Sequence, residues 1–120
     1  MKKLTVIITI LLLGGLSWAQ EIKGPTGVRW TQNSEPDLAG YRLYESSISG
    51  TYGTTPLADC PHPCDSYIFP TPHAVGTWYW VVTAYDTSGN ESGPSNEATG
   101  TFVLVDVTPP DAPTNCEPIP

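Results

Sequence analysis

The stretch Thr77-Trp78-Tyr79-Trp80-Val81-Val82-Thr83-Ala84-Tyr85-Asp86 constrains the chain more than any other. Trp78, Trp80, Val82 and Ala84 alternate with Tyr79, Val81, Thr83 and Tyr85. Period-two alternation reads as a strand. Both faces are apolar or aromatic, so the strand is expected to be central, with neighbours on both edges. Such a strand commits the rest of the chain to supplying partners.

The remainder fits that demand. No amphipathic helical pattern follows the first 19 residues. Thirteen prolines and eleven glycines punctuate short runs rich in Val, Tyr, Trp and Thr. That is the composition of an all-β chain with many turns. Further strands are expected at Thr26–Thr31, Gly40–Glu45, weakly at Tyr52–Leu57, at Ser66–Phe69 and at Ser95–Val105. Pro109 and Pro110 end the last of these, because proline cannot donate to a ladder. The count of short strands suits a sandwich of about 100 residues.

The N-terminus reads differently. Lys2 and Lys3 precede an apolar run from Leu4 to Leu13, and Ser17-Trp18-Ala19 offers small residues at a cleavage site. This is the pattern of a secretory signal peptide over residues 1–19. The run falls short of the roughly 20 residues of a comfortable membrane span, so an uncleaved anchor is the weaker reading. The expected organisation is a signal peptide at 1–19, one domain at 20–107 and a proline-rich tail at 108–120. Secretion to the extracellular space, the cell surface or a periplasm follows, with no membrane attachment after cleavage.

Net charge is −7, and losing Lys2 and Lys3 makes the mature chain two units more negative. Such a surface repels phosphate backbones, which argues against nucleic acid as a partner. Three cysteines in an exported chain permit disulfides. In Cys60-Pro61-His62-Pro63-Cys64, a metal clip would supply three ligands where zinc wants four. A disulfide closing a small loop is the simpler reading. Cys116 is then left over, for an intermolecular bond or as a free thiol.

Three stretches together resemble a fibronectin type III domain. They are Val28-Arg29-Trp30-Thr31; Glu35-Pro36-Asp37-Leu38-Ala39-Gly40-Tyr41-Arg42-Leu43-Tyr44; and Val82-Thr83-Ala84-Tyr85-Asp86 with Ser88-Gly89-Asn90-Glu91-Ser92 and Ser95-Asn96-Glu97. Order and spacing agree over Gly27 to Val105. The resemblance implies an immunoglobulin-like β-sandwich of about seven antiparallel strands. Only Glu21–Pro25 precede the second strand, so the first is shortened or missing. Its core would hold Val28, Trp30, Tyr41, Leu43, Trp78, Trp80, Val82 and Ala84. The family's corner tyrosine is replaced by Trp78, whose indole N–H is the available substitute donor. Residues 108–115 look like the lead-in and first strand of a following domain.

The same topology would gather the loops at 31–38, 58–65 and 86–94. Glu35, Asp37, Asp86 and Glu91 are then candidate calcium ligands, with Asp59 and Asp65 nearby. Tyr44, Tyr79 and Tyr85 are the candidate binding surface, able to stack on sugars or anchor a protein. Only His62 and His73 titrate near neutrality, and the topology sends them to opposite poles. No serine–histidine–acid set assembles from them, so no catalytic residues are expected. Asn90-Glu91-Ser92 is a glycosylation sequon, and the loop at 86–94 lacks an Arg-Gly-Asp motif.

The expected function is therefore a non-catalytic extracellular structural or adhesive module without an obligate cofactor. One alternative is a carbohydrate-binding accessory module. Another is a filament subunit that passes its C-terminal tail to a neighbour as a strand, with Cys116 locking the contact.

Overall fold

A computed structural model describes residues 6–11 and 17–120. They form eight strands: β1 (Val6–Leu11), β2 (Ser17–Lys23), β3 (Gly27–Arg29), β4 (Leu38–Ser46), β5 (Ala58–Pro61), β6 (Ser66–Ile68), β7 (Gly76–Asp86) and β8 (Ala98–Asp106). The described chain is all-β, and every strand pairing in it is antiparallel. One sheet has the order β1-β2-β8-β7-β4-β5; a second pairs β3 with β6.

The aromatic strand is β7, flanked by β4 and β8 as its two apolar faces require. Its inward face carries Trp80 and Val82, which meet Tyr41 and Leu43 of β4 and Phe102 of β8. Phe69, directly after β6, closes this cluster from the smaller sheet and stacks on Trp80 at 5.2 Å. Val28, Trp30 and Tyr67 pack against it from the same side. Burying a side chain of this size contributes about 1.5–3 kcal/mol. Of the expected core, Tyr41, Leu43, Trp80 and Val82 are fully buried; Val28, Trp30, Trp78 and Ala84 are half-buried at its margin. Phe69 and Phe102, each 1% exposed, complete it.

Three strand expectations need correction. No strand forms over Tyr52–Leu57; the partner of β4 is β5, which starts at Ala58 and runs through Cys60 to Pro61. Pro56 has no N–H to give a ladder, and pairing begins only where Leu57 donates to the Leu43 carbonyl at 2.7 Å. Consequently Ala58–Pro61 is strand rather than loop. The last strand starts at Ala98 rather than Ser95. Ser92 and Ser95 follow β7 irregularly: their amides donate to Ala84 and Val82, and their hydroxyls accept the Ala84 and Val82 amides in return. Pro94 between them prevents a regular ladder.

The segment before β3 does not join β3. It forms β2 and pairs with β8 instead, Lys23 opposite Val103 and Gln20 opposite Asp106. Residues 20–23 of this strand lie beyond the expected cleavage site, while β1 and the start of β2 lie before it. Among the described residues, strand β3 has one partner, β6.

Candidate functional site

The outer face of the larger sheet carries a bonded array of charged and phenolic side chains. Arg42 and Tyr44 of β4 alternate with inward Tyr41 and Leu43, so both must point outward. Arg42 donates from Nε to Asp59 Oδ2 at 3.3 Å and from Nη1 to Glu91 Oε2 at 2.9 Å. Its guanidinium lies 4.3 Å from the centroid of the Tyr85 ring. Tyr85 donates its hydroxyl to Asp59 at 2.6 Å. Tyr44 and Thr83 both donate to Glu91 Oε1, at 2.7 and 2.6 Å.

Local structure makes this array possible. Gly40 faces Tyr85 across β4 and β7. A Cβ at Gly40 would lie 2.6 Å from the Tyr85 hydroxyl and 2.8 Å from the Cys60 carbonyl, so only glycine leaves room there. Glu91 is held over the sheet by a bridge between Tyr85 and Glu91 and by the Ser92-to-Ala84 bond. Beneath the array, Val81 and Thr83 are 6% and 7% exposed although they lie on the outward face. The polar groups above them act as a cover. A second node lies further along the face, where Glu97 accepts from Ser49, Tyr52 and the Gly50 amide.

The hydrogen bonds set the titration. Bonds from Thr83 and Tyr44 hold the Glu91 carboxyl below the usual carboxylate range. Ser49, Tyr52 and Gly50 do the same for Glu97. The reciprocal effect raises Tyr44 through Glu91 and Tyr85 through Asp59. Burial, followed by Glu97, pushes Tyr52 well above a free phenol. Arg42 is raised chiefly by Glu91.

The candidate surface tyrosines therefore lie on this face, each half-buried. Tyr44 and Tyr85 spend their hydroxyls on carboxylates, and Arg42 covers one face of Tyr85. Tyr79 stands opposite Ser46 and Thr99.

The calcium candidates share an open cavity of about 270 Å³ with Asn33 and Asn90. The carboxylates of Glu91 and Asp86 are engaged elsewhere. Glu91 turns to the sheet, and Asp86 accepts the Ser88 and Asn90 amides and the Asn90 side chain, which holds its carboxyl low. Glu35 accepts weakly from Asn33, and Asp37 gives its carbonyl to the Thr87 amide. Among the described residues, no three His, Cys, Asp or Glu side chains are grouped to hold a metal ion. Asp65 gives its carbonyl to the Trp30 amide.

Cys60 and Cys64 form a disulfide, and Cys116 is a free, exposed cysteine. His62 is exposed, its amide bonded to the Ala39 carbonyl near the start of β4. His73 sits near the other end of β4, and sequence reasoning missed its role. Its side chain is only 10% exposed and touches Glu45 through Nε2 at 2.5 Å. Phe69, Trp78, Trp80 and Phe102 surround its ring. It is a core residue. The one available signal was its place between Phe69 and Trp78, with no charged residue in between. Trp78 donates its indole N–H to the Ala74 carbonyl at 3.0 Å.

No family model, curated protein or solved structure matches this chain.

Proposed function

We propose that the chain is a fibronectin type III-like β-sandwich, secreted, that works as a non-catalytic contact module through the outer face of its larger sheet. The strand order supports the fold reading. β5, β4, β7 and β8 run side by side in one sheet, and β3 and β6 face their core from the other, as the resemblance implies. The Trp78–Ala74 bond, in the place of the family's tyrosine corner, supports it too. The Cys60–Cys64 disulfide is compatible with an extracellular setting.

One observation carries the functional reading. Arg42, Tyr44, Asp59, Thr83, Tyr85 and Glu91 are bonded to one another on strands and a short loop, as one fixed array. Tyrosine and arginine fixed on a rigid sheet suit a protein interface, where ordering costs are already met. The same bonds count against the sugar-binding alternative. A stacking platform needs an open ring, and Arg42 covers Tyr85.

The test compares wild type with the double variant Arg42→Ala, Tyr79→Ala on two probes. One is a glycan array; the other is an immobilised panel of purified extracellular matrix and cell-surface proteins. The expected result is a blank glycan array and protein retention that the double variant loses. Glycan binding abolished by Tyr79→Ala and Tyr85→Ala would move the carbohydrate reading to first place.

A further inference from the structure

The unpaired edge of β3 is a second surface, separate from the outer face of the larger sheet. Thr26 accepts from the Phe69 amide, and the Trp30 amide donates to Asp65. In an antiparallel ladder, alternate residues point their backbone groups the same way. Thr26, Val28 and Trp30 therefore address β6, while Gly27 and Arg29 present N–H and C=O to the open side. Among the described residues, neither of these two backbones takes a hydrogen bond on that side. An open groove of about 450 Å³ runs along all of Thr26–Trp30 and includes Ile68, which is 41% exposed. A strand edge left in this state is a template for another strand.

We infer that this edge accepts residues 111–117 of a second copy of the chain as an added strand. The tail is available: residues 107–120 form no strand, and nearly all of them are exposed. Its prolines fall in phase with docking. Between Pro110 and Pro118 the only proline is Pro113. Ala112, Thr114 and Cys116 share one edge of an extended segment and keep their N–H groups. Pro113 falls on the opposite edge, where no donor is needed. The same three residues present small side chains on one face, with Asp111, Asn115 and Glu117 on the other.

Charge agrees. Among the described residues, Lys23 and Arg42 are in ion pairs, and Arg29 is the cationic side chain that is not. It stands on the open edge, and the tail brings Asp111 and Glu117 with no lysine or arginine. Pro109-Pro110 stiffens the exit from β8, which favours reaching a neighbour over folding back. Asn115, at φ 56° in the free tail, becomes extended on docking.

Proline placement supplies the test, since a tail change leaves the core untouched. The full secreted chain with Cys116→Ser, which removes disulfide artefacts, is compared with the same chain carrying Thr114→Pro or Asn115→Pro. Sedimentation over a range of concentrations reads self-association, and hydrogen exchange reads the Gly27 and Arg29 amides. The expected result is concentration-dependent oligomers with protected amides, abolished by Thr114→Pro and retained by Asn115→Pro. A monomer at all concentrations overturns the inference, whether the two amides are open or are protected by the chain's own tail. So does equal behaviour of the two proline variants.

Discussion

The imidazole of His73 stacks on the ring of Phe102, centroids 4.9 Å apart and planes 21° from parallel, while its Nε2 meets Glu45. A titratable side chain thus serves as a core ring. Glu45 Oε2 also receives the Trp80 indole N–H at 3.2 Å, so the carboxylate ties histidine and tryptophan together. His73→Ala opens a hole among four aromatic rings and removes a partner of Glu45. It is expected to cost about 3 kcal/mol of stability, read from urea midpoints. His73→Phe keeps the stack and loses the bond to Glu45, so it should cost clearly less. Equal losses would show that the ring packing contributes little.

The bond from Trp78 to Ala74 predicts a smaller effect. Trp78→Phe keeps most of the apolar ring and deletes the donor. The loss should be about 1 kcal/mol, the net contribution of one such hydrogen bond. The denaturant slope should not change, since the surface exposed on unfolding is nearly the same.

The carboxylates and phenols of the outer face fix both ends of the pH–stability curve. Glu91, Glu97 and Asp86 titrate below their ordinary values. Their contribution is complete above the unfolded carboxylate range and is lost as pH falls through the depressed folded values. Tyr44, Tyr52 and Tyr85 titrate above a free phenol. Their contribution is complete below about pH 10 and is lost as pH rises above it. Melting temperature against pH should show a plateau between about 5 and 10. Glu97→Gln should flatten the acid limb, and Tyr52→Phe the alkaline one.

Reducing the Cys60–Cys64 bond should change stability modestly. The residues are four apart in sequence, so closing the loop removes little chain entropy. A loop of this size is worth at most about 2 kcal/mol. Cys60→Ser with Cys64→Ser should therefore leave a folded protein with a lowered melting temperature. Complete unfolding would mean that the bond holds β5 on β4.

The sequence made the central sheet legible because Tyr41, Leu43, Trp80 and Val82 alternate cleanly with polar or outward residues. It hid β5, since Ala-Asp-Cys-Pro lacks the β-branched and aromatic residues that mark a strand; pairing to β4 supplies what propensity does not. It hid the role of His73, because polarity suggests the surface and only the surrounding rings and Glu45 make burial possible. The tyrosines were readable as outward-facing. Their engagement with Glu91 and Asp59 was not, because Glu91 and Asp59 lie far from Tyr44 and Tyr85 in sequence or across a turn.

Pro61 is the final residue of β5, on the outermost flank of the six-stranded sheet, and the disulfide ring begins one residue earlier. The covalently closed turn directly after it keeps this edge from lengthening, so a visiting chain meets a ladder of four residues and no more. The ring thus acts as a stop at the outer edge of the sheet, fixing where pairing ends.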